Sequence, residues 1–175
     1  MNYGQIMTAD CANGLGMRVS LFVSGCTNHC PGCFQPETWD FDYGLVYTPE
    51  TEQGLMEELA KPYYDGLTIL GGEPFELSNQ PEVAKLVRRV KKELPEKTIW
   101  MYTGFLYEKD LVPGGCRYTD VTGEILDNID ILVDGKFVQE LKDITLNFRG
   151  SSNQRIIDMK KTRATGKIIL SQLNN

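Results

Sequence analysis

Three cysteines packed into one short stretch, Cys26-Thr27-Asn28-His29-Cys30-Pro31-Gly32-Cys33, constrain this chain more than any other feature. The spacing is C-x3-C-x2-C, and Pro31 and Gly32 supply the turn that lets three thiolates converge. The chain holds 5 cysteines, an odd number that does not pair into a disulfide framework. Crowded thiols of this kind are metal ligands or redox groups. Structural zinc sites take four protein ligands, usually from separated pairs, whereas soft thiolate sets suit iron–sulfur clusters. With three thiolates on a four-iron cluster, one iron is left open to a non-protein ligand. His29 would complete a Cys3His zinc set only by folding back into its own loop. Cys11 and Cys116 are the other candidates for a fourth ligand; each reads first as an isolated thiol behaving as a small hydrophobe.

A chain of 175 residues fits one domain and is too short for a complete eight-unit β/α barrel, which needs about 250. With 41% hydrophobic and 24% charged residues it has the make-up of a folded protein. The net charge of −6 lacks the basic footprint of a nucleic-acid binder. Nothing approaches the roughly 18 consecutive apolar residues of a membrane span. The opening Met1-Asn2-Tyr3-Gly4-Gln5 has neither a basic region nor an apolar core, so a cytoplasmic chain is expected.

Residues 18–24 (RVSLFVS) form a β-rich apolar run that ends just before the cysteine loop. Thr48-Pro49 is a helix start, with Leu55, Met56 and Leu59 on the inner face. Residues 66–70 are a short buried strand, and 80–94 repeat apolar residues at helical spacing. Residues 97–102 and 129–133 read as further strands, with late strands expected at 155–159 and 167–170. Strands alternating with helices predict an α/β fold with a mostly parallel sheet, whose ligand sites lie at the C-terminal strand ends. Lys85, Arg88, Arg89, Lys91 and Lys92 read as a solvated helix face.

Gly71-Gly72-Glu73-Pro74 directly follows the second strand. Two glycines allow close backbone approach to a ligand, and Glu73 offers a carboxylate to an ammonium group, with glycine amides suited to the ligand's polar end. Alone, such a segment is a tight turn as often as a binding site.

Taken together, Cys26-x3-Cys30-x2-Cys33 and Gly71–Pro74 resemble the radical S-adenosyl-L-methionine (SAM) superfamily. Within it, the chain resembles the family that activates anaerobic (class III) ribonucleoside-triphosphate reductases. Supporting stretches are Met1–Tyr3, Leu21–Cys26, Thr38-Trp39, Tyr102–Gly104, Ile131–Phe137 and Arg149–Ile156, with residues from about 160 peripheral to a single domain, 1–175. The resemblance implies a partial β/α barrel, open along one side. It implies that Cys26, Cys30 and Cys33 hold a 4Fe-4S cluster whose open iron binds SAM, and that Gly71, Gly72, Glu73 and Pro74 contact the methionine amino group. Thr103 and Asp134 would contact SAM directly or through a cation; Lys136 either pairs with a SAM oxygen or, as reads first, is an exposed lysine. Asn153 and Gln154 would adjust the site or hold a late strand. The implied reaction is reductive cleavage of SAM to methionine and a 5′-deoxyadenosyl radical. That radical takes a glycine Cα hydrogen from the reductase, with a flavodoxin-like electron donor and no catalytic side chain beyond cluster and SAM.

Two departures stand out. The position before the third cysteine is Gly32, where many relatives carry an aromatic, so Phe34 becomes the candidate for stacking on adenine. The early loop Asn13-Gly14-Leu15-Gly16 lacks an expected proline at 15. Trp39, Phe41, Tyr43 and Phe105 are candidates to line the mouth. Two other readings remain: a different radical SAM enzyme, whether an activase or a small-molecule enzyme, and a non-catalytic metal-binding module.

Overall fold

A computed structural model describes residues 1–174. Seven strands form one sheet: β1 (Asn2–Asp10), β2 (Arg18–Val23), β3 (Leu45–Val46), β4 (Gly66–Gly71), β5 (Thr98–Tyr102), β6 (Ile131–Asp134) and β7 (Arg155–Asp158). Their order is β3-β1-β2-β4-β5-β6-β7. The four central strands, β2, β4, β5 and β6, run parallel. At the margins β1 lies antiparallel to β2 and β3, and β7 antiparallel to β6. The sheet does not close on itself, since β3 and β7 are its two edges.

Strand alternation sorts the buried residues. Val19, Leu21 and Val23 of β2, Leu67 and Ile69 of β4, and Ile99 and Met101 of β5 face the helices. That layer contains α1 (Pro49–Leu59), α2 (Gln80–Glu93), α4 (Thr122–Asn128) and α5 (Met159–Thr165); α3 (Tyr107–Asp110) is a single turn. Helix α1 starts where the sequence places it: the Thr48 side chain accepts a hydrogen bond from the Thr51 amide, and Pro49 occupies the first turn. In α2, Val83, Ala84, Leu86, Val87 and Val90 are buried against the sheet. Its basic outer face is paired with acids, Lys85 with Glu82, Arg88 with Glu124, Arg89 with Glu52 and Lys91 with Asp130.

The other sheet face holds Arg18, Ser20, Phe22, Thr68, Trp100 and Tyr102. Arg18 is wholly buried at the N-terminal ends of the parallel strands. Its Nε donates to Thr68 Oγ1 at 2.7 Å, and its two terminal nitrogens donate to Leu15 O, Thr98 Oγ1, Leu67 O and Thr98 O at 2.7–3.1 Å. All five guanidinium N–H groups therefore have acceptors. The loop 11–17 folds beneath the sheet, where the Asn13 carbonyl accepts from Thr68 Oγ1 at 2.8 Å. It forms a floor.

One expectation needs correcting. Residues 167–170 make only an isolated bridge, Leu170 to Ile157, because Asp158 caps α5 and turns the chain away from the sheet after β7. The first strand, β1, carries no apolar alternation legible in its sequence; it is half-buried and lies antiparallel between β2 and β3.

Candidate cofactor site

The C-terminal ends of the parallel strands open onto one cavity of about 630 Å³. Small-molecule sites span about 300–1,000 Å³. Its lining includes all three thiols of the cysteine loop together with Gly71, Gly72, Glu73 and Thr103. Tight backbone pairing puts them there. The Gly25 amide donates to Thr38 O at 2.8 Å and the Cys26 amide to Trp39 O at 3.2 Å, so a short 3-10 turn at Pro36–Trp39 braces the start of the loop. On the other side, the Gly72 amide donates to Val23 O at 2.7 Å and the Glu73 amide to Gly25 O at 2.9 Å.

Both glycines are required by this approach. Gly71 has a φ of +99° and sits against the Phe22 backbone, while a Cβ on Gly72 would meet Gly25 O at 2.7 Å and Thr38 O at 2.9 Å. The pairing also corrects one expectation. The amides of Gly72 and Glu73 are spent on β2 and its exit, so neither is left to meet a ligand's polar end.

Glu73 is 1% exposed and accepts four hydrogen bonds. Phe75 N and Thr103 Oγ1 donate to Oε1 at 3.0 and 2.8 Å, and Gly104 N and Asn28 Nδ2 to Oε2 at 2.8 and 3.1 Å. None of these donors is charged, and burial pushes the Glu73 carboxyl up to about 7.

The thiols stand in a matching environment. Burial pushes the Cys26 thiol up to about 11 and raises that of Cys30 as well. Metal loading therefore displaces protons. Among the described residues, no three His, Cys, Asp or Glu side chains gather closely enough to hold a single ion. A four-iron cluster places each thiolate on a different iron, so three thiols around one cavity suit it. His29, with a φ of +44°, stacks on Trp39 at 4.6 Å between ring centroids. Cys11 and Cys116 are exposed and lie outside the cavity lining.

The remaining candidates divide. Pro74 is buried behind the turn and Asp134 beneath the cavity; neither lines it. Asp134 is fully buried, held by Arg155 at 2.5 and 2.8 Å and by the Tyr107 amide at 2.9 Å. Lys136 is exposed and points its Nζ to Asn28 O at 3.4 Å. Asn153 bonds Lys136 O at 2.8 Å. Gln154 lines the cavity and ties the late loop together, accepting from Gly150 N at 2.9 Å and donating to Gly135 O at 3.0 Å. Phe34 lines the cavity and packs against Phe137 at 5.2 Å. Of the mouth aromatics, only Trp39 is in the lining. Phe41 covers Gly25, Tyr43 covers Gly4, and Phe105 lies under the Arg117 guanidinium. Sequence reasoning missed Arg149, Phe148 and Asn28, which also line the cavity. Asn28 lies inside the cysteine motif, so its position signalled proximity without naming its partner.

Residues 12–157 match the family model of the 4Fe-4S single cluster domain. The chain is 40% identical over 156 residues to the anaerobic ribonucleoside-triphosphate reductase-activating protein of Escherichia coli (strain K12), covering 88% of this chain and 96% of that one. The protein of the same name from Vibrio cholerae serotype O1 is 43% identical over 159 residues, covering 89% and 97%. That of Enterobacteria phage T4 is 40% identical over 158 residues, covering 89% and 93%. The chain belongs to this family. In the fold the cysteine loop lies at the exit of β2 and the glycine–glutamate turn at the exit of β4.

Proposed function

We propose that this protein activates an anaerobic ribonucleoside-triphosphate reductase by radical SAM chemistry, and that its open sheet is a partial β/α barrel of the radical SAM type. The observation that carries the reading is the shared cavity, whose lining brings Cys26, Cys30 and Cys33 together with Gly71, Gly72 and the buried Glu73. Cys26, Cys30 and Cys33 would hold a 4Fe-4S cluster. When bound, the cluster would supply the one electron for reductive cleavage of SAM to methionine and a 5′-deoxyadenosyl radical, which would take a hydrogen atom from a glycine Cα of the reductase.

The chain's own task is to bind, orient and exclude water. Gly71, Gly72 and Glu73 offer acceptors and negative charge to the methionyl ammonium, while Thr103 fixes the Glu73 rotamer. Phe34 and Phe137 present aromatic faces for adenine. Asp134 serves the site indirectly, through the Tyr107 amide and Arg155. The floor built on Arg18 closes the cavity from below, leaving the strand-end side for a glycine-bearing segment of the reductase. A flavodoxin-like protein would supply the electron, in the cytoplasm with the reductase. Among the described residues, no helix is long and apolar enough to cross a membrane.

The test is anaerobic reconstitution with iron and sulfide, reduction with dithionite, and addition of SAM. Methionine and 5′-deoxyadenosine are expected in equal amounts, and a glycyl radical signal appears when the reductase is added. Cluster uptake without 5′-deoxyadenosine would leave a non-catalytic metal module and overturn the proposal.

A further inference from the structure

The residue after the first cysteine is held by a group that the activity above does not use. Thr27 donates its backbone amide to Glu76 Oε1 at 2.8 Å and its hydroxyl to the same oxygen at 2.6 Å. Glu76 is 4% exposed and sits on the turn between β4 and α2, three residues beyond Glu73. Its other oxygen faces Arg117 at 3.5 Å, and Arg117 in turn donates to the Thr27 hydroxyl at 2.7 Å. Arg117 comes from the loop before α4, and its guanidinium lies over the Phe105 ring at 4.5 Å. Glutamate, threonine and arginine thus close a three-membered latch on the residue bonded to Cys26.

We propose that Glu76 and Arg117 are positioning residues that set the reduction potential of the bound cluster through this latch on Thr27. The inference rests on the reading that Cys26, Cys30 and Cys33 hold a 4Fe-4S cluster. Cluster potentials respond to nearby net charge, to hydrogen bonding and to solvent exposure. Two buried carboxylates, Glu73 and Glu76, stand behind the first half of the cysteine loop. Negative charge there opposes the arrival of an electron, and Arg117 is the cation that offsets Glu76. The two partners therefore act on the potential with opposite sign, although removing either one loosens the same latch.

The experiment is a dithionite titration of the reconstituted protein, following the electron paramagnetic resonance of the reduced cluster. Glu76→Gln keeps an acceptor for Thr27 but removes a negative charge, and the midpoint shifts to higher potential. Arg117→Gln removes the offsetting cation, and the midpoint shifts lower; Arg117→Lys keeps the charge and returns it towards wild type. Thr27→Val removes the bridging hydroxyl but leaves both charges. It speeds cluster loss to a chelator severalfold while moving the potential less than either charge variant. Shifts of the same sign in Glu76→Gln and Arg117→Gln would show loosening alone and overturn the proposal, as would potentials unchanged in both. A wild-type protein that takes up no 4Fe-4S cluster would instead remove the reading on which the latch rests.

Discussion

Glu73 is the residue in which stability and ligand binding pull against each other. Its carboxyl, at about 7 in the fold, stands above the ordinary value of 4.5 because it is buried among neutral donors. A group whose folded pKa is raised contributes stability that is fullest below the unfolded pKa and is lost as pH rises through the folded one. The window here runs from about 4.5 to about 7. The loss amounts to roughly 3 kcal/mol in the ligand-free protein. A cationic ligand reverses the preference, since it favours the ionised form, so affinity for such a ligand at this site falls as pH drops below about 7. Glu73→Gln keeps the shape and removes the titration. The drop in melting temperature between about pH 5 and pH 8 should therefore shrink in the variant, measured without ligand. A pH profile identical to wild type would contradict the burial argument.

At the level of elements, two glycines make opposite predictions. Gly72 is walled in by the carbonyls of Gly25, Thr38 and Val23, whereas Gly54 of α1 is exposed and a Cβ there would meet nothing within 4 Å. Gly72→Ala should cost about 1–3 kcal/mol in urea unfolding and reduce iron uptake, because the displaced carbonyls belong to the strand exit and turn that brace the cysteine loop. Gly54→Ala should stabilise by about 0.5–1 kcal/mol and leave iron uptake alone, because alanine loses less entropy in a helix. Equal effects at the two sites would remove the argument that the turn is sterically required. The same contrast explains what was legible in the sequence. Parallel strands with apolar runs, the Thr48 cap and the α2 stripe announce themselves through local pattern and propensity. So did the cysteine loop and the glycine–glutamate turn, because their chemistry is written in adjacent residues. Strand β1 did not, since its pairing between β2 and β3 is a tertiary fact that half-burial leaves unpatterned. Nor did the partners of Asp134, because Arg155 lies 21 residues away and reaches it only through the antiparallel β6–β7 pairing.

Across the whole molecule, an open sheet must still enclose a cavity, and it does so with a buried cation. Arg18 joins the N-terminal ends of β2, β4 and β5 by donating to carbonyls or hydroxyls of Leu15, Leu67, Thr68 and Thr98, and its guanidinium carbon lies 5.5 Å from the Trp100 ring centroid. A cation buried without a carboxylate contact is costly, and burial lowers its pKa to about 10. The cost is offset because every N–H finds an acceptor, among them the backbone carbonyls of Leu15, Leu67 and Thr98. Replacing it by an apolar chain of similar length strands several of these oxygens at once, each at about 1–3 kcal/mol. Arg18→Met should therefore destabilise by at least about 3 kcal/mol in urea unfolding, although methionine is the more hydrophobic residue. The floor would also open to water below the cavity, so the variant should lose its cluster to a chelator faster at temperatures well below its melting point. A stable Arg18→Met protein with normal cluster retention would show that loop 11–17 closes the floor without the guanidinium.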